Sequence, residues 1–172
     1  MEARATPTVH RVPARPLEDQ RILMSDPSTS ALALIELTQH QCAERLQHAA
    51  FGRVALSSGA LPVILPVHFA LLDGDPVFRT DPGTKLMAAS AGAVLCFEID
   101  EHDPVLHTGW SVLVTGRAEV ITDPVELAAA AALPLRPWIG AGTAYVRIRT
   151  AAMSGREIRI QGAESGRSCR PA

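Results

Sequence analysis

The sequence predicts a mainly β domain, an antiparallel barrel of six or seven strands with two or three short helices. Three observations predict it. Apolar segments of strand length recur between residues 52 and 160, and several of them alternate with polar residues. Tight-turn sequences separate these segments, most clearly at Asp73-Gly74-Asp75. Aromatic residues make up only 4% of the chain, so the core must be built mainly from aliphatic side chains.

The first predicted element is a helix over residues 39–50. Thr38 and Gln41 form a T-x-x-Q capping box at its start, in which each side chain accepts a backbone N–H of the other residue. Pro66 lies within the next predicted β segment and has no N–H to donate, which indicates a bulge or an edge position. The three strands predicted after the helix are 52–57, 62–72 and 76–80.

Two helices and four strand segments are predicted for the second half of the domain. Asp81 is predicted to cap a short helix that begins at Pro82 and runs to about Ala91. Asp123 and Pro124 open an alanine-rich helix in the same way. The predicted strands are 93–99, 111–121, 145–149 and 156–160.

An acidic segment at residues 98–103, with His102 and His107, contains residue types that bind metals or act as acid and base. It lies at the end of a predicted strand and just before Pro104, so a solvated loop is the simpler interpretation. No second histidine at metal-ligand spacing accompanies His68 in the sequence, and no metal site is predicted.

Composition and charge argue against several function classes. A net charge of −2 and a pI near 6.3 do not suit a general nucleic-acid binder. No apolar segment reaches the roughly 18 residues of a membrane span. Three widely spaced cysteines without a CxxC pair predict neither a disulfide framework nor a zinc site, which favours a cytoplasmic location. Residues 1–28 are predicted to be a disordered or arm-like tail, 29–161 the folded domain, and 162–172 a flexible tail.

The segment 78–86 carries the strongest functional signal. It reads FRTDPGTKL and contains Lys85, the only lysine among 172 residues. Arg79 and Lys85 supply cations, and two threonines supply hydroxyl groups, at a predicted strand-to-helix junction. Free N–H groups at a helix start, with such side chains beside them, form an anion site. The alternative is a pair of solvated surface cations, and the Asp81 carboxylate would repel a phosphate unless it points away.

Four segments together resemble the flavin-binding split barrels related to pyridoxamine 5′-phosphate oxidase. They are FGRVA at 51–55, LPVHF at 65–69, FRTDPGTKL at 78–86, and GWSV through TGRA at 109–118. They occur in the order typical of that family. The pattern is most similar to an actinobacterial branch of flavin and deazaflavin oxidoreductases that includes nitroimidazole-resistance-like proteins. The resemblance implies a split β-barrel.

The resemblance also implies a flavin site made of three groups of residues. In such barrels a strand end and the following helix hold the flavin phosphate, one strand runs along the isoalloxazine ring, and a polar side chain of a later strand reaches the flavin. Carried onto this sequence, the groups are Arg79, Thr80, Thr84 and Lys85 for the phosphate, Leu65, Pro66, Val67 and His68 along the ring, and Trp110 and Ser111 on the later strand. His68 could instead be a half-exposed barrel residue, and Trp110 an ordinary core or interface residue.

The function implied by the resemblance is an FMN-dependent oxidoreductase acting on an unidentified small molecule. No catalytic side chain is predicted, because the isoalloxazine carries the redox chemistry. The family usually forms a homodimer with two cofactor sites at the interface. The alternatives are a flavin-binding carrier or sensor without turnover, the deazaflavin F420 as cofactor, and, more distantly, haem bound by a histidine. The long anionic tail of F420 would favour a more basic groove than this chain offers.

Overall fold

The elements follow the predicted order, and most strands are longer than predicted. The structure is a computed structural model that describes residues 32–137 and 140–161. Its elements are β1 (Leu32–Glu36), α1 (Gln39–His48), β2 (Phe51–Ser58), β3 (Leu61–Leu72), β4 (Asp75–Thr80), α2 (Thr84–Ser90), β5 (Val94–Asp103), β6 (Thr108–Val120), α3 (Pro124–Ala132) and β7 (Ala144–Ile160). The predicted tails, 1–28 and 162–172, lie outside the described residues, so the domain boundaries stay predictions.

Six of the described strands close into a ring. Neighbouring strands follow the order β7-β4-β3-β2-β5-β6, and β6 pairs again with β7. β1 lies outside this ring and pairs with the C-terminal end of β7. Every pairing is antiparallel. The prediction of a mainly β, six- to seven-stranded antiparallel split barrel is therefore confirmed.

β7 closes the ring because it is long enough to pair with three strands. Its 17 residues pair with β4 near Tyr145, with β6 along most of the strand, and with β1 near Ile158. The prediction of two separate strands here, 145–149 and 156–160, is wrong. The segment between them, residues 150–155, continues the strand because its backbone pairs with β6, a long-range contact that has no local signal.

The core fills the inside of the ring. On β6, Val112 and Val114 are fully buried, whereas Leu113 between them is 40% exposed, as the pleat of a strand requires. Phe69 and Phe97 meet edge to face inside the ring, with ring centroids 4.7 Å apart. A second, smaller apolar cluster lies outside the ring, where α3 packs on β4 and β7.

Two of the three helices begin as the sequence predicts. At α1, the N–H of Gln41 donates to Thr38 Oγ1 and the N–H of Thr38 donates to Gln41 Oε1, so both halves of the capping box form. At α3, the Asp123 carboxylate accepts the N–H groups of Val125 and Glu126. Within the described ranges, no helix has the length and apolar character needed to cross a membrane.

α2 begins later than predicted. The sequence favours Asp81 as the N-cap, but the helix begins at Thr84 with Gly83 as its N-cap and no side-chain cap. The Asp81 carboxylate instead accepts the N–H of Thr143, 62 residues away. A tertiary hydrogen bond has therefore displaced the local capping interaction.

Two further predictions need correction. The acidic segment 98–103 is not a loop, because β5 continues to Asp103 and pairs with β6 along that length. Its side chains from Asp100 onward are nevertheless exposed, which is why they resemble a loop in sequence. β1 lies within a segment where the sequence predicts no strand, and it is held by pairing with β7.

Pro66 lies where β3 is an edge strand, as predicted. β3 pairs with β4 only over Phe69–Leu72, whereas Leu61–His68 has β2 as its strand neighbour. The segment that contains Pro66 therefore has one side without a partner strand in the described chain. A proline is tolerated there because its missing N–H removes no ladder hydrogen bond on that side.

A buried charged cluster joins α3 to the ring. Arg147 on β7 has a side chain only 5% exposed, and its guanidinium donates to Asp75 at 2.8 Å and to Glu126 at 3.2 Å. A third, longer contact reaches Asp73 in the β3–β4 turn at 3.4 Å. These carboxylates offset the charge of the buried guanidinium, so the cluster has a structural role.

Candidate functional site

The four predicted phosphate ligands lie within seven residues of chain at the junction of β4 and α2, although the pleat of β4 directs the side chains of Arg79 and Thr80 to opposite faces. Arg79 and Thr80 are the last residues of β4, and Thr84 and Lys85 are the first residues of α2. Three residues separate the two pairs, so the chain itself brings them close. We call this group, Arg79, Thr80, Thr84 and Lys85, the phosphate corner.

Lys85 is a half-buried cation without a counter-charge in the part of the chain that the structure describes. Burial lowers the pKa of Lys85 below its ordinary value, and no described carboxylate offsets this effect. A half-buried ammonium without a partner costs folding free energy. Ionisable groups in such a position are candidates for a binding role, since a bound anion would supply the missing partner.

Arg79 is already engaged within the protein. Its Nε–H donates to the Gly142 carbonyl at 2.9 Å, and its Nη2 donates to the Ala141 carbonyl at 3.1 Å. Its guanidinium also lies 5.3 Å from the ring centroid of Tyr145, the residue with which it pairs on β7. The guanidinium has further N–H groups beyond these two, but it is held toward the loop that precedes β7.

Asp81 points away from the phosphate corner. Its Oδ1 accepts the N–H of Thr143 at 3.0 Å. The N–H groups of Gly142, Thr143 and Ala141 hold the pKa of Asp81 below its usual value. The objection that this carboxylate would repel a phosphate is therefore weakened, because its charge is directed at backbone donors of the loop.

The predicted ring-binding residues lie on β3, the strand next to β4. Val67 is buried in the core and Leu65 packs against it, so both side chains point into the ring. Pro66 and His68 alternate with them and face outward. A ligand on the outer surface could therefore contact the backbone of the inward-facing pair and the side chains of the outward-facing pair.

His68 is close to the phosphate corner and has contacts of its own. Its position is one residue beyond the last β3–β4 pair, and the same register would place it opposite Arg79. Its Nδ1 lies 3.3 Å from the Ala50 carbonyl oxygen, and its ring meets Phe51 edge to face, with centroids 5.7 Å apart. It also borders a cleft of about 600 Å³ beside the C-terminal end of α1.

Trp110 and Ser111 lie near the N-terminal end of β6. The indole N–H of Trp110 donates to Glu101 at 3.1 Å, and the Arg45 guanidinium lies 4.7 Å from the centroid of its ring. Ser111 is exposed and shares a cleft of about 510 Å³ with Trp110. Trp110 also borders a cleft of about 740 Å³ between α1 and β5.

The strand registers place Arg79 and Ser111 at the two ends of one row across the sheet. His68, opposite Arg79, pairs with Phe51 on β2, and the register of β2 with β5 places Asp100 opposite Phe51. Asp100 pairs in turn with Ser111 on β6. Four strand spacings therefore separate Arg79 from Ser111, which corresponds to about 19 Å across the sheet. The structure thus places His68 between the phosphate corner and Ser111 with its neighbour Trp110.

The sequence interpretation missed two sets of contacts. No role is predicted from the sequence for the loop 140–143, although it receives both Arg79 and Asp81. Gly140 and Gly142 have φ of 79° and 62°, and these glycines were the available signal. Arg45 over Trp110 had no signal, because a cation and a ring 65 positions apart share no sequence pattern.

Comparison with known proteins settles the family. Residues 38–157 match the sequence profile of the pyridoxamine 5′-phosphate oxidase family. The chain belongs to this family. The matched segment is more than half of the chain and includes every predicted site residue, so the resemblance expected from the four segments is confirmed.

Three similar proteins come from species of Mycobacterium and Corynebacterium. The uncharacterized protein Rv0080 of Mycobacterium tuberculosis is 37% identical over 115 residues, which are 64% of this chain and 75% of that protein. The FAD binding protein from Mycobacterium smegmatis is 34% identical with a TM-score of 0.63, covering 73% of this chain and 100% of that one. A candidate pyridoxamine 5′-phosphate oxidase from Corynebacterium glutamicum is also 34% identical, with a TM-score of 0.64, covering 73% and 98%.

Proposed function

We propose that this family member binds a flavin nucleotide, with Lys85 as the principal phosphate ligand, and uses it as an oxidoreductase on a small molecule. The observation that carries the proposal is the half-buried ammonium of Lys85, which has no counter-charge among the described residues. A phosphate dianion would supply that charge and return the pKa of Lys85 toward its ordinary value. The FAD binding protein from M. smegmatis, 34% identical, supports a flavin as the ligand.

The groups around Lys85 fit a phosphate. Thr84 precedes it on α2 and is half-buried, so its hydroxyl can donate beside the ammonium. Thr80 is 7% exposed, and its hydroxyl donates to the Asp81 carbonyl at 3.3 Å, a long contact that a better acceptor could replace. Charge-assisted hydrogen bonds from an ammonium to phosphate oxygens are among the stronger ones in proteins.

The protein's part in the reaction would be binding and orientation. The flavin, when bound, supplies the electron transfer. On its open side β3 offers the Pro66 carbonyl and the backbone N–H and C=O groups of His68 to the polar edge of the ring, because Leu65 and Val67 direct theirs toward β2. The outward-facing imidazole of His68 is placed to hydrogen-bond the ring as well. We propose no dedicated catalytic side chain. Small nitro, quinone or enone compounds are the substrate classes that such a site suits.

FMN is our first candidate cofactor, and FAD is the second. FMN needs only the phosphate corner and the β3 segment. FAD is favoured by one specific finding, the FAD binding protein from M. smegmatis. The two are distinguished by heating the purified protein, collecting the released chromophore and measuring its mass. The same measurement would reveal F420, which this chain suits less because Lys85 is its only lysine.

We propose a homodimer with each flavin shared between two copies. The family resemblance implies such a dimer, and Arg79 and Ser111 lie at the two ends of one row of residues on the outer surface of the sheet. The outer faces of β3, β2, β5 and β6 form an adjoining surface. Exposed apolar side chains on it are Ile64 at 66%, Val94 at 64% and Leu113 at 40%. A surface of this kind favours association.

The decisive experiment is flavin retention by Lys85 variants. The purified wild type is expected to show flavin absorption, and Lys85→Ala should lose the flavin on gel filtration without unfolding the protein. The matched control is Lys85→Arg, which keeps the charge and should retain the flavin. A Lys85→Ala variant that keeps its yellow colour through gel filtration, or a wild type that binds no flavin on titration, would refute the proposal.

Turnover is tested separately. Reduction of the bound flavin by NADH, NADPH or reduced F420, followed by reoxidation with nitro and quinone acceptors, is the expected behaviour of an oxidoreductase. A holo-protein that none of these donors reduces would favour a flavin carrier or sensor instead.

A further inference from the structure

We infer that Arg79 and Asp81 are positioning residues for the proposed flavin site: they hold the loop 140–143 in place, and Arg79 does not act as a phosphate ligand. This inference rests on the proposed function and refines it. It reassigns one of the two cations that the sequence placed on the phosphate and leaves Lys85 as the cation that binds it.

The contacts of the two residues are complementary. The Arg79 guanidinium donates to the carbonyls of Gly142 and Ala141, at 2.9 and 3.1 Å. The Asp81 carboxylate accepts the N–H of Thr143 at 3.0 Å. The cation thus holds backbone acceptors and the anion holds a backbone donor of the same loop. We call Arg79 and Asp81 together the loop clip.

The loop approaches the clip as closely as its glycines permit. A Cβ added to Gly140 would lie 2.1 Å from Asp81 Oδ2, and one added to Gly142 would lie 3.0 Å from Arg79 Cβ. Both glycines also have φ values that disfavour other residues. The conformation of the loop 140–143 and the contacts of the loop clip therefore depend on each other.

The electrostatics distinguish the two cations of the corner. The loop clip contains one cation and one anion, and both are directed at backbone groups of the same loop. Lys85 makes no such contact with described residues, and burial alone shifts its pKa. An incoming phosphate would gain most from the charge that is not yet engaged.

The loop lies beside the phosphate corner. It leads directly into β7 at Ala144, which pairs with Thr80 at the end of β4. Release of the loop would therefore alter the surroundings of any flavin bound there. The resulting loss of affinity should therefore be the same for a flavin that carries a phosphate and for one that does not.

A comparison of FMN with riboflavin tests this inference, because riboflavin has the same ring and no phosphate. Each purified apo-protein is titrated with both ligands by fluorescence, and the ratio of the two Kd values is taken for the folded fraction. Lys85→Ala should reduce the preference for FMN by about 10- to 100-fold, the size of a charge-assisted contact. Arg79→Lys and Asp81→Asn should lower the affinities for FMN and riboflavin equally and leave the ratio of the two Kd values within about twofold. Lysine does not replace arginine here because its ammonium lacks the planar pair of N–H groups that binds two carbonyls at once.

Gly142→Ala provides an independent variant that changes neither charged residue. It should produce the same equal loss of FMN and riboflavin affinity, and it remains informative if an Arg79 variant does not fold. The inference is overturned if Arg79→Lys keeps both affinities, if Arg79→Ala lowers the ratio as Lys85→Ala does, or if Asp81→Asn and Gly142→Ala bind riboflavin normally. A wild type that binds neither ligand would instead refute the proposed function.

Discussion

The charge of Lys85 makes a prediction about pH. In the free protein burial lowers the pKa of Lys85 below its ordinary value. As the pH rises through that lowered pKa, the ammonium loses its proton and with it the charge that binds phosphate. A bound phosphate favours the protonated form and raises the pKa again. FMN affinity should therefore fall with rising pH, by up to tenfold per unit, between the pKa of the free protein and that of the complex.

The total loss is set by the strength of the contact. A hydrogen bond to a charged group contributes about 1.5–3 kcal/mol, so the affinity for FMN should fall by about 10- to 100-fold once Lys85 is neutral. Riboflavin should show no such fall, because it lacks the phosphate. Any ionisation of the isoalloxazine itself occurs in both ligands and cancels in the ratio of their Kd values.

The assay is a fluorescence titration of apo-protein with FMN and riboflavin from about pH 7 to about pH 10.5, the ordinary range below and near a lysine pKa. The matched control is Lys85→Arg, which stays protonated throughout and should give a ratio independent of pH. The reasoning is refuted if the wild-type ratio does not change over this range. It is equally refuted if Lys85→Arg shows the same fall as the wild type.

Three further predictions concern assembly and stability. Leu113→Glu should convert the proposed dimer to a monomer and release the flavin, as measured by light scattering, whereas Val125→Glu on exposed α3 should do neither. Arg147→Met should lower the unfolding free energy in urea by about 1–3 kcal/mol, because Asp75 loses its partner at 2.8 Å and keeps Arg149 only at 4.0 Å; an unchanged midpoint would contradict this. Gly116→Ala should prevent stable folding, seen as loss of a cooperative thermal transition, since its Cβ would lie 2.0 Å from the Arg149 carbonyl oxygen.

The parts of the fold that the sequence predicted well have local causes. Asp73 and Gly74 both have positive φ, as a two-residue hairpin turn requires, and an Asp-Gly sequence predicts such a turn. The capping box at Thr38 is likewise complete within four residues. The alternation of β6 reflects one face in the core and one outside it, so a short window of sequence sufficed.

The errors in the fold arise where distant contacts decide. The continuous β7 exists because β6 pairs with its middle segment, residues 150–155, and β1 exists because the end of β7 offers an edge. The Asp81 carboxylate accepts an N–H 62 positions away and does not cap α2. None of these outcomes has a signal within the segment concerned.

The candidate site divides in the same way. The phosphate corner lies within a single segment of nine residues, so the sequence placed Lys85 and its neighbours together. The loop clip depends on contacts 62 and 63 positions apart, and only two glycines pointed to that loop. The row that joins Arg79 to Ser111 follows from the registers of five strands, which sequence patterns do not specify.

Two features of this protomer are left without partners in the described chain, and they favour one common explanation. The first is the Lys85 ammonium, half-buried with no counter-charge, and the second is the outer face around Leu113. A flavin bound to one copy would supply the charge but would leave that face exposed. A second copy without a flavin would cover the face but would leave the cation unpaired. Flavin binding and dimer formation should therefore be coupled, each strengthening the other, because one shared site satisfies both.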